Sequence, residues 1–265
     1  MKNKISCVLA NWNNFGLLRQ CVDAIKKSQT VDTQILVTLN EYNKQSIEYL
    51  SDIGVGFVAN VENLGTAAVD MVTPMINGEY VACINDDETV SFGWDSKLIS
   101  VIESEDNIIP SALCIEPQET GNPLVAVDNL GDVTDYKFYD RFNEQVRVGK
   151  YNRQSRRGYN HPNLVKVNDW KAIKGYSLGL PFDHFGLGGY GLDDCVNWAL
   201  WNYIYDKNLS FIICGNVPVF HQVSQTTKRL SHDIKNIDIQ QAFVSITGMT
   251  THEFRRAIGW GQYIS

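Results

Sequence analysis

Long apolar runs are missing from this chain of 265 residues. Near the start, the longest uncharged apolar run covers only residues 5–10, which is too short for the core of a signal peptide. Nowhere does the chain approach the ~18 consecutive apolar residues that cross a bilayer. The sequence therefore predicts neither a signal peptide for export nor stable insertion into a membrane, and we expect a cytoplasmic location.

Sequence patterns that mark disulfide frameworks, zinc sites or activated nucleophiles are also absent. The six cysteines form no Cys-x-x-Cys pair and lie singly within apolar segments, which favours reduced thiols in the core. The five histidines show no H-E-x-x-H spacing, and the chain contains neither a nucleophile elbow nor a P-loop. Chemistry of those kinds has no support in the sequence.

The chain has no large excess of positive charge, since 23 basic and 30 acidic residues give a net charge of −7. This balance argues against a surface that binds nucleic acid throughout. One segment differs, because between residues 137 and 157 seven basic residues outnumber two acidic ones and give a local charge of +5. The basic residues of this segment are Lys137, Arg141, Arg147, Lys150, Arg153, Arg156 and Arg157. A long polar stretch is usually functional or mobile, so we expect a mobile basic loop over residues 131–165.

What is present is typical of a globular protein, with 44% hydrophobic and 20% charged residues. The length allows one large α/β domain or a core with a second lobe. Over the first hundred residues, strands are predicted at 5–10, 34–39, 56–59 and 80–84, and helices at 17–25, 47–53, 66–76 and 94–103. This alternation predicts a mostly parallel sheet covered by helices on both faces, with ligands bound at the carboxyl ends of the strands.

The alternation weakens after residue 105. Strands are predicted at 109–115, 124–128, 210–214 and 217–223, together with a helix at 193–205 and a helical tail. In that tail, Thr250 and Glu253 have the spacing of a capping box at the start of the last helix.

Three consecutive acids, Asp86, Asp87 and Glu88, directly follow the strand predicted at 80–84. Adjacent carboxylates repel one another, and a divalent cation such as Mg²⁺ or Mn²⁺ would relieve that repulsion because it prefers oxygen ligands. The alternative interpretation is a solvated acidic turn, since surface turns often contain aspartate.

A second acidic pair, Asp193 and Asp194, begins the helix predicted at 193–205. Two interpretations are open. Acids in the first turn stabilise a helix through its dipole, and alternatively one of the two acts as a general base that takes a proton from an acceptor hydroxyl. His221 ends an apolar strand, where it is either a structural histidine or a ligand that completes a carboxylate-bound metal site.

Taken in order, these segments resemble the family 2 glycosyltransferases, whose nucleotide-sugar-binding fold is called GT-A. The resemblance rests on residues Ser6 to Asn13, Asn63 to Gly65, Cys83 to Glu88 with Trp94, Leu180 to Phe185, Gly191 to Asp194, and Val219 to His221. It implies a Rossmann-like, mostly parallel sheet flanked by helices in one compact domain. Residues 1–128 are then the half that binds the nucleotide sugar, and residues 129–265 the half that binds the acceptor.

The resemblance also implies roles for individual residues. Asn85-Asp86-Asp87 falls on the D-x-D motif of the family, so Asp87 is expected to bind the Mn²⁺ or Mg²⁺ that bridges the donor diphosphate, with His221 as a further ligand. Asp194 corresponds to the catalytic base, and Asp193 to its partner that binds the acceptor. The residues expected at the donor are Asn11, Trp12, Asn13, Glu41, Asn63, Gly65 and Asp86.

The reaction implied is the transfer of a sugar from a nucleoside-diphosphate sugar to an acceptor hydroxyl, with inversion at the anomeric carbon. A saccharide is the first expectation for the acceptor. Because arginines and aromatic side chains can hold phosphates and stack on bases, the basic segment makes a hydroxylated base in DNA the alternative acceptor. A non-catalytic module that holds a sugar nucleotide is the alternative from another class.

Overall fold

The computed structural model describes residues 3–180, 192–222 and 239–264. Its first half contains strands β1 (Ile5–Asn11), β2 (Thr33–Leu39), β3 (Gly56–Ala59) and β4 (Tyr80–Cys83). They are parallel and lie side by side in the order β3-β2-β1-β4. Helices α1 (Phe15–Ser28) and α2 (Lys44–Asp52) follow β1 and β2, and each begins after an asparagine whose side chain accepts a backbone N–H of the first turn. The predicted alternation of strands and helices is confirmed here.

The segment expected as the third helix is a 3₁₀ helix over Thr66–Met75. Pro74 lies inside it and Gly65, just before it, has a φ of 77°. A proline inside an α-helix removes one hydrogen bond and clashes with the preceding turn, so the tighter 3₁₀ geometry replaces the α-helix. The apolar spacing of the segment did not distinguish the two forms.

The chain then adds six strands to the same sheet: β5 (Glu88–Val90), β6 (Ile108–Glu116), β7 (Ala126–Val127), β8 (Arg156–Arg157), β9 (Asn163–Lys166) and β10 (Ser210–His221). They continue from β4 in the order β9-β6-β10-β5, with β7 beside β6 and β8 beside β10. β6 and β10 are parallel, whereas β9 and β5 run antiparallel to their neighbours. Residues on both sides of position 128 therefore share one mostly parallel sheet.

Helix α3 (Trp94–Ile102) lies between β5 and β6 in the chain and α5 (Val167–Ala172) follows β9. The two strands predicted at 210–214 and 217–223 are one continuous strand, β10, with a register shift between Cys214 and Pro218. At Gly215, inside this shift, a Cβ atom would lie 1.9 Å from the carbonyl oxygen of Arg153, so this close backbone approach requires glycine.

The expectation of a basic loop over residues 131–165 is wrong in its secondary structure. Helix α4 (Phe138–Arg147) occupies its centre, and β8 and β9 lie near its end. Phe138 and Phe142, four positions apart, are fully buried and both contact the ring of Phe220. One apolar face at helical spacing, hidden among charged residues, is enough to form a helix when the tertiary structure offers a partner.

The described C-terminal part is helical, as predicted. Helix α6 (Leu192–Ala199) continues into a π-helical turn over Leu200–Ile204, and helices α7 (Ile239–Thr247) and α8 (Thr251–Ala257) form the tail. The capping box of Thr250 and Glu253 is confirmed, with both reciprocal hydrogen bonds present.

All six cysteines are free and buried, which confirms the expectation of reduced core thiols. Across residues 3–180, 192–222 and 239–264, no helix has the length and apolar character needed to cross a membrane.

Candidate functional site

The carboxyl ends of β1 and β4 bring Asn11 and Asp86 together. Asn11, the last residue of β1, is 2% exposed and donates its amide N–H to Asp86 Oδ2 over 2.6 Å and to the Asn14 carbonyl over 3.2 Å. Because β1 and β4 are neighbours in the sheet, residues 75 positions apart meet at one edge. Asn11 and Asp86 were both expected at the donor, and the structure places their side chains in contact.

Asp87 faces His221, with Oδ1 of the carboxylate 3.3 Å from Nε2 of the imidazole. The antiparallel pairing of β5 and β10 sets His221 opposite Glu88, and the Gln222 backbone N–H donates to the Asp87 carbonyl over 3.1 Å. The structure therefore brings together the two residues expected to bind the metal, which are 134 positions apart in the sequence.

The electrostatics of these acids differ from residue to residue. Burial and the charge of Asp87 raise the pKa of Asp86 to about 8, and burial raises the pKa of Glu88 to about 7. Burial alone would raise the pKa of Asp87, but His221 holds it below its usual range. Burial alone would lower the pKa of His221, but Asp87 raises it well above the usual value. The cluster thus contains more carboxylates than cations to neutralise them.

A further carboxylate, Glu116 at the end of β6, lies on the other side of the His221 ring. Its Oε1 is 3.2 Å from His221 Nδ1, and the Cys114 thiol donates to the same oxygen over 3.8 Å. We call the set of Asp86, Asp87, Glu88, Glu116 and His221 the β4 cluster.

Asp193, in the first turn of α6, is held by two aromatic residues. Its Oδ1 lies 3.0 Å from Nε2 of His161 and accepts the Tyr176 hydroxyl, while His161 Nδ1 donates to the Cys83 carbonyl over 3.2 Å. Burial alone would lower the pKa of His161, but Asp193 raises it to about 9. Desolvation alone would raise the pKa of Asp193, and His161 holds it below its usual range. The Asp193 side chain is 45% exposed.

Asp194 has a different set of partners. Arg255, on α8, binds both of its carboxylate oxygens, with Nε 3.1 Å from Oδ1 and Nη2 3.0 Å from Oδ2, and the Tyr159 hydroxyl donates to Oδ1. The Asp194 side chain is 7% exposed. Burial raises the pKa of Asp194 above its usual value although Arg255 acts in the opposite direction. We call Tyr159, His161, Tyr176, Asp193, Asp194 and Arg255 the α6 cluster.

His161 connects the two clusters. It hydrogen-bonds to the carbonyl of Cys83, the last residue of β4, and contacts Asp193. Its positive charge also lowers the pKa of Asp87 and opposes the rise in the pKa of Glu88. The α6 cluster therefore lies within electrostatic range of the β4 cluster at the carboxyl end of β4.

The other residues expected at the donor lie near the carboxyl ends of β1, β2 and β3. Trp12 is half-buried and Asn13 is exposed with a φ of 49°. One carboxylate oxygen of the half-buried Glu41 is enclosed without a hydrogen-bond partner. Asn63 accepts the Gly65 N–H over 2.9 Å, which fixes the turn before the 3₁₀ helix.

Several residues of the site were not anticipated. Four of them, Glu116, His161, Tyr159 and Tyr176, are single residues with no ligand spacing around them. Arg255, in the helical tail, binds Asp194, and nothing in the sequence near it indicates that contact. The one signal in the sequence was that Glu116 directly follows the apolar residues 112–115; its position beside His221 comes from the pairing of β6 with β10. Most of the Leu180 to Phe185 segment and Gly191 lie outside the described residues.

The comparisons with known proteins agree with this architecture. The family model described as glycosyl transferase family 2 matches residues 6–166, more than half of the chain. No curated protein matches the sequence. The chain belongs to glycosyl transferase family 2.

The fold is that of the GT-A glycosyltransferases. The structure of GalNAc-T7 with UDP, GalNAc and Mn²⁺ is similar with a TM-score of 0.59 at 14% identity, over 83% of this chain and 44% of that one. The structure of TarS residues 1–349 from S. aureus in complex with UDP is similar with a TM-score of 0.61 at 8% identity, over 96% of this chain and 69% of that one. The chain thus spans less than half of the GalNAc-T7 chain.

Proposed function

We propose that this protein transfers a sugar from a nucleoside-diphosphate sugar to an acceptor hydroxyl, with inversion at the anomeric carbon. The observation that carries the proposal is the contact of Asp87 with His221 at the carboxyl end of the sheet, 3.3 Å apart, beside an acidic pair on a helix. The two solved neighbours with UDP make UDP-sugars the first donors to test.

The β4 cluster fits a divalent cation. A carboxylate oxygen and an imidazole nitrogen face each other, and both are ligands that Mn²⁺ accepts. Two carboxylates contact the one histidine, and Asp86 and Glu88 lie next to Asp87 in the chain, so an added positive charge is favourable there. We propose that Asp87 and His221 hold the ion, with Asp86 oriented by Asn11. When bound, a divalent cation neutralises charge on the departing nucleoside diphosphate.

We propose that Asp194 is the general base. Burial raises the pKa of Asp194, which makes it a stronger base than an ordinary aspartate. Asp194 takes the proton of the acceptor hydroxyl as that oxygen attacks the anomeric carbon, and Arg255 must give up one of its two hydrogen bonds for this. Asp193, fixed by His161 and Tyr176 and half-exposed, binds the acceptor.

A saccharide acceptor is favoured over DNA by the local ion pairs of the basic segment. Arg141 pairs with Asp135, Arg147 with Glu144 and Lys150 with Asp128. These contacts neutralise three of the seven basic residues, which reduces the positive field available to phosphates. DNA binding that falls steeply with added salt would instead support the alternative acceptor.

The test combines donor binding with turnover. UDP-, GDP- and dTDP-sugars are screened for thermal stabilisation with and without Mn²⁺, since a ligand at 100 times its Kd adds about 2.7 kcal/mol. Asp87→Ala should abolish the part of the thermal stabilisation that depends on Mn²⁺. Asp194→Asn should keep that stabilisation, while the rate of sugar transfer falls about 10² to 10⁴-fold. The control is Asp52→Asn, an exposed acid at the end of α2.

Each result has a defined meaning for the proposal. Unchanged Mn²⁺-dependent binding in Asp87→Ala would remove this residue from the ion. Full turnover in Asp194→Asn, with loss in Asp193→Asn, would transfer the role of base to Asp193. Binding of a sugar nucleotide with neither transfer nor slow hydrolysis would support the non-catalytic module.

A further inference from the structure

Glu116 contacts His221 at Nδ1, the ring nitrogen on the side away from Asp87. It is the last residue of β6, its side chain is 9% exposed, and its Oε1 lies 3.2 Å from His221 Nδ1. The parallel pairing of β6 with β10 aligns Ile115 with Phe220, so the next residues of the two strands, Glu116 and His221, lie beside each other.

The Glu116 carboxylate is itself fixed. The Thr120 hydroxyl donates to Oε2 over 2.6 Å, and the Cys114 thiol donates to Oε1 over 3.8 Å. Because donors reach both oxygens, the carboxylate cannot rotate without losing hydrogen bonds. Because Nδ1 of the imidazole contacts Oε1 of this fixed carboxylate, the orientation of the His221 ring is fixed as well.

The contact decides which ring nitrogen of His221 is available. A carboxylate oxygen accepts a hydrogen bond, so Nδ1 must carry the proton that it donates to Glu116. When the imidazole is neutral, its lone pair is then on Nε2, the atom that lies 3.3 Å from Asp87 Oδ1. A free neutral imidazole exchanges its proton between the two nitrogens, whereas a neutral His221 would keep its proton on Nδ1 because of Glu116.

We propose that Glu116 is a positioning residue that fixes the orientation and tautomer of His221 so that Nε2 is directed at the cation beside Asp87. The proposal rests on the proposed function, in which Asp87 and His221 hold a divalent ion. Outer carboxylates that orient a ligating histidine typically change metal affinity 10- to 100-fold when removed.

A second cation bound by Cys114, Glu116 and His221 is the competing interpretation. One potential ligand atom from each lies within 4.8 Å of the others. However, the Cys114 thiol and His221 Nδ1 both act as donors to the same Glu116 oxygen, so the three groups already satisfy one another. Metal stoichiometry distinguishes the two interpretations.

The experiment measures Mn²⁺ affinity and stoichiometry by calorimetry in the presence of UDP. Glu116→Ala should weaken Mn²⁺ binding about 10- to 100-fold. In Glu116→Gln the amide oxygen can still accept the hydrogen bond from Nδ1, so Mn²⁺ affinity should fall less than tenfold. Glu119→Gln, an exposed neighbour on the same loop, should be unchanged.

A second readout follows the Nδ1 proton of His221 by ¹⁵N NMR in the cation-free protein. A hydrogen-bonded Nδ1–H that exchanges slowly in the native protein and in Glu116→Gln should be lost in Glu116→Ala. Affinity within twofold of the native value in Glu116→Ala, or two Mn²⁺ per chain reduced to one by Glu116→Gln, would overturn the proposal. If the native protein binds no Mn²⁺ at all, the proposed function loses its cation, whereas the NMR measurement still decides whether Glu116 fixes the ring.

Discussion

The β4 cluster and the α6 cluster are both acidic, but their negative charge is balanced in different ways. In the β4 cluster, Asp87 and Glu116 both contact the single imidazole of His221, whereas the side chains of Asp86 and Glu88 hydrogen-bond to the neutral amides of Asn11 and Asn85. In the α6 cluster, each aspartate has its own cation, with His161 at Asp193 and Arg255 at Asp194. The first arrangement favours the arrival of a positive ion, and the second is already neutral and suits an uncharged hydroxyl.

The pKa values follow this difference. Burial raises the pKa of Asp86 to about 8 and that of Glu88 to about 7, whereas in the α6 cluster Arg255 opposes the rise for Asp194 and His161 holds the pKa of Asp193 below its usual range. Buried carboxylates without enough positive charge bind protons instead. A cation would replace those protons, so the cluster exchanges one kind of positive charge for another. Removing a cation from the α6 cluster should therefore destabilise the protein, whereas removing the charge of Asp86 or Glu88, the two carboxyls of the β4 cluster with a raised pKa, should stabilise its cation-free form.

The largest effect is expected for Arg255→Met, which leaves the buried Asp194 carboxylate without its cation. Breaking a buried ion pair costs 3–5 kcal/mol, and because the Arg255 side chain is 43% exposed we expect a loss of about 3 kcal/mol. Urea denaturation at pH 7 measures it, with the exposed Arg256→Met as the control. Equal stabilities of the two variants would show that the α6 cluster is not balanced by Arg255.

A smaller effect is expected for the ion pair of His161 and Asp193, which depends on pH. The pKa of His161 is raised from 6.5 to about 9 in the folded state, so its stabilisation is complete below pH 6.5 and is lost as the pH rises through 9. His161→Gln should remove this dependence; the full change in pKa corresponds to about 3 to 4 kcal/mol, and because the partner Asp193 is 45% exposed we expect solvent screening to reduce it to about 2 to 3 kcal/mol. Chemical denaturation of the cation-free protein between pH 6 and 10 tests this, with the exposed His252→Gln as control. If the stabilities of the native protein and of His161→Gln change with pH in parallel, the ion pair does not cause the pH dependence.

The smallest effect, of opposite sign, is expected for Asp86→Asn. In the folded protein the pKa of Asp86 is raised to about 8. Between pH 4 and 8 the unfolded chain therefore releases a proton that the folded protein keeps, and the free energy of unfolding falls as the pH rises. The amide removes this cost and still accepts from Asn11. We expect Asp86→Asn to be more stable by about 1 to 2 kcal/mol at pH 5 without cations, since each pH unit above the usual pKa adds about 1.4 kcal/mol, and no gain when Mn²⁺ and UDP are present. A thermal shift series with EDTA and with Mn²⁺ measures both; destabilisation in EDTA would contradict the comparison.

Much of the fold could be predicted from local patterns. The strands at β1 to β4 are apolar runs bounded by polar turns, and the capping box of Thr250 and Glu253 is complete in four residues. These features depend on neighbours in the chain, so the sequence contains all the information they need. Helix α4 could not be predicted in this way, because Phe138 and Phe142 are apolar positions in a charged segment whose partner, Phe220, is about eighty residues away.

The candidate site divides in the same way. Asp86, Asp87, Asp193 and Asp194 stand out as adjacent acids, and His221 stands out at the end of a strand. Glu116, His161, Tyr159, Tyr176 and Arg255 have no such pattern, since a single residue has no spacing. They enter the site only because the sheet order places β6 beside β10 and β9 beside β4, and because α8 reaches α6 through Arg255.

The sequence by itself determined the α/β alternation, the reduced cysteines, the three consecutive acids at 86–88 and the acidic pair at 193–194, because each depends on residue type and short-range spacing. Only the tertiary structure decided which cation neutralises which carboxylate. Coulomb interactions and hydrogen bonds act over a few ångströms in space regardless of separation in the chain, so the balance of charge in each cluster is a property of the folded sheet.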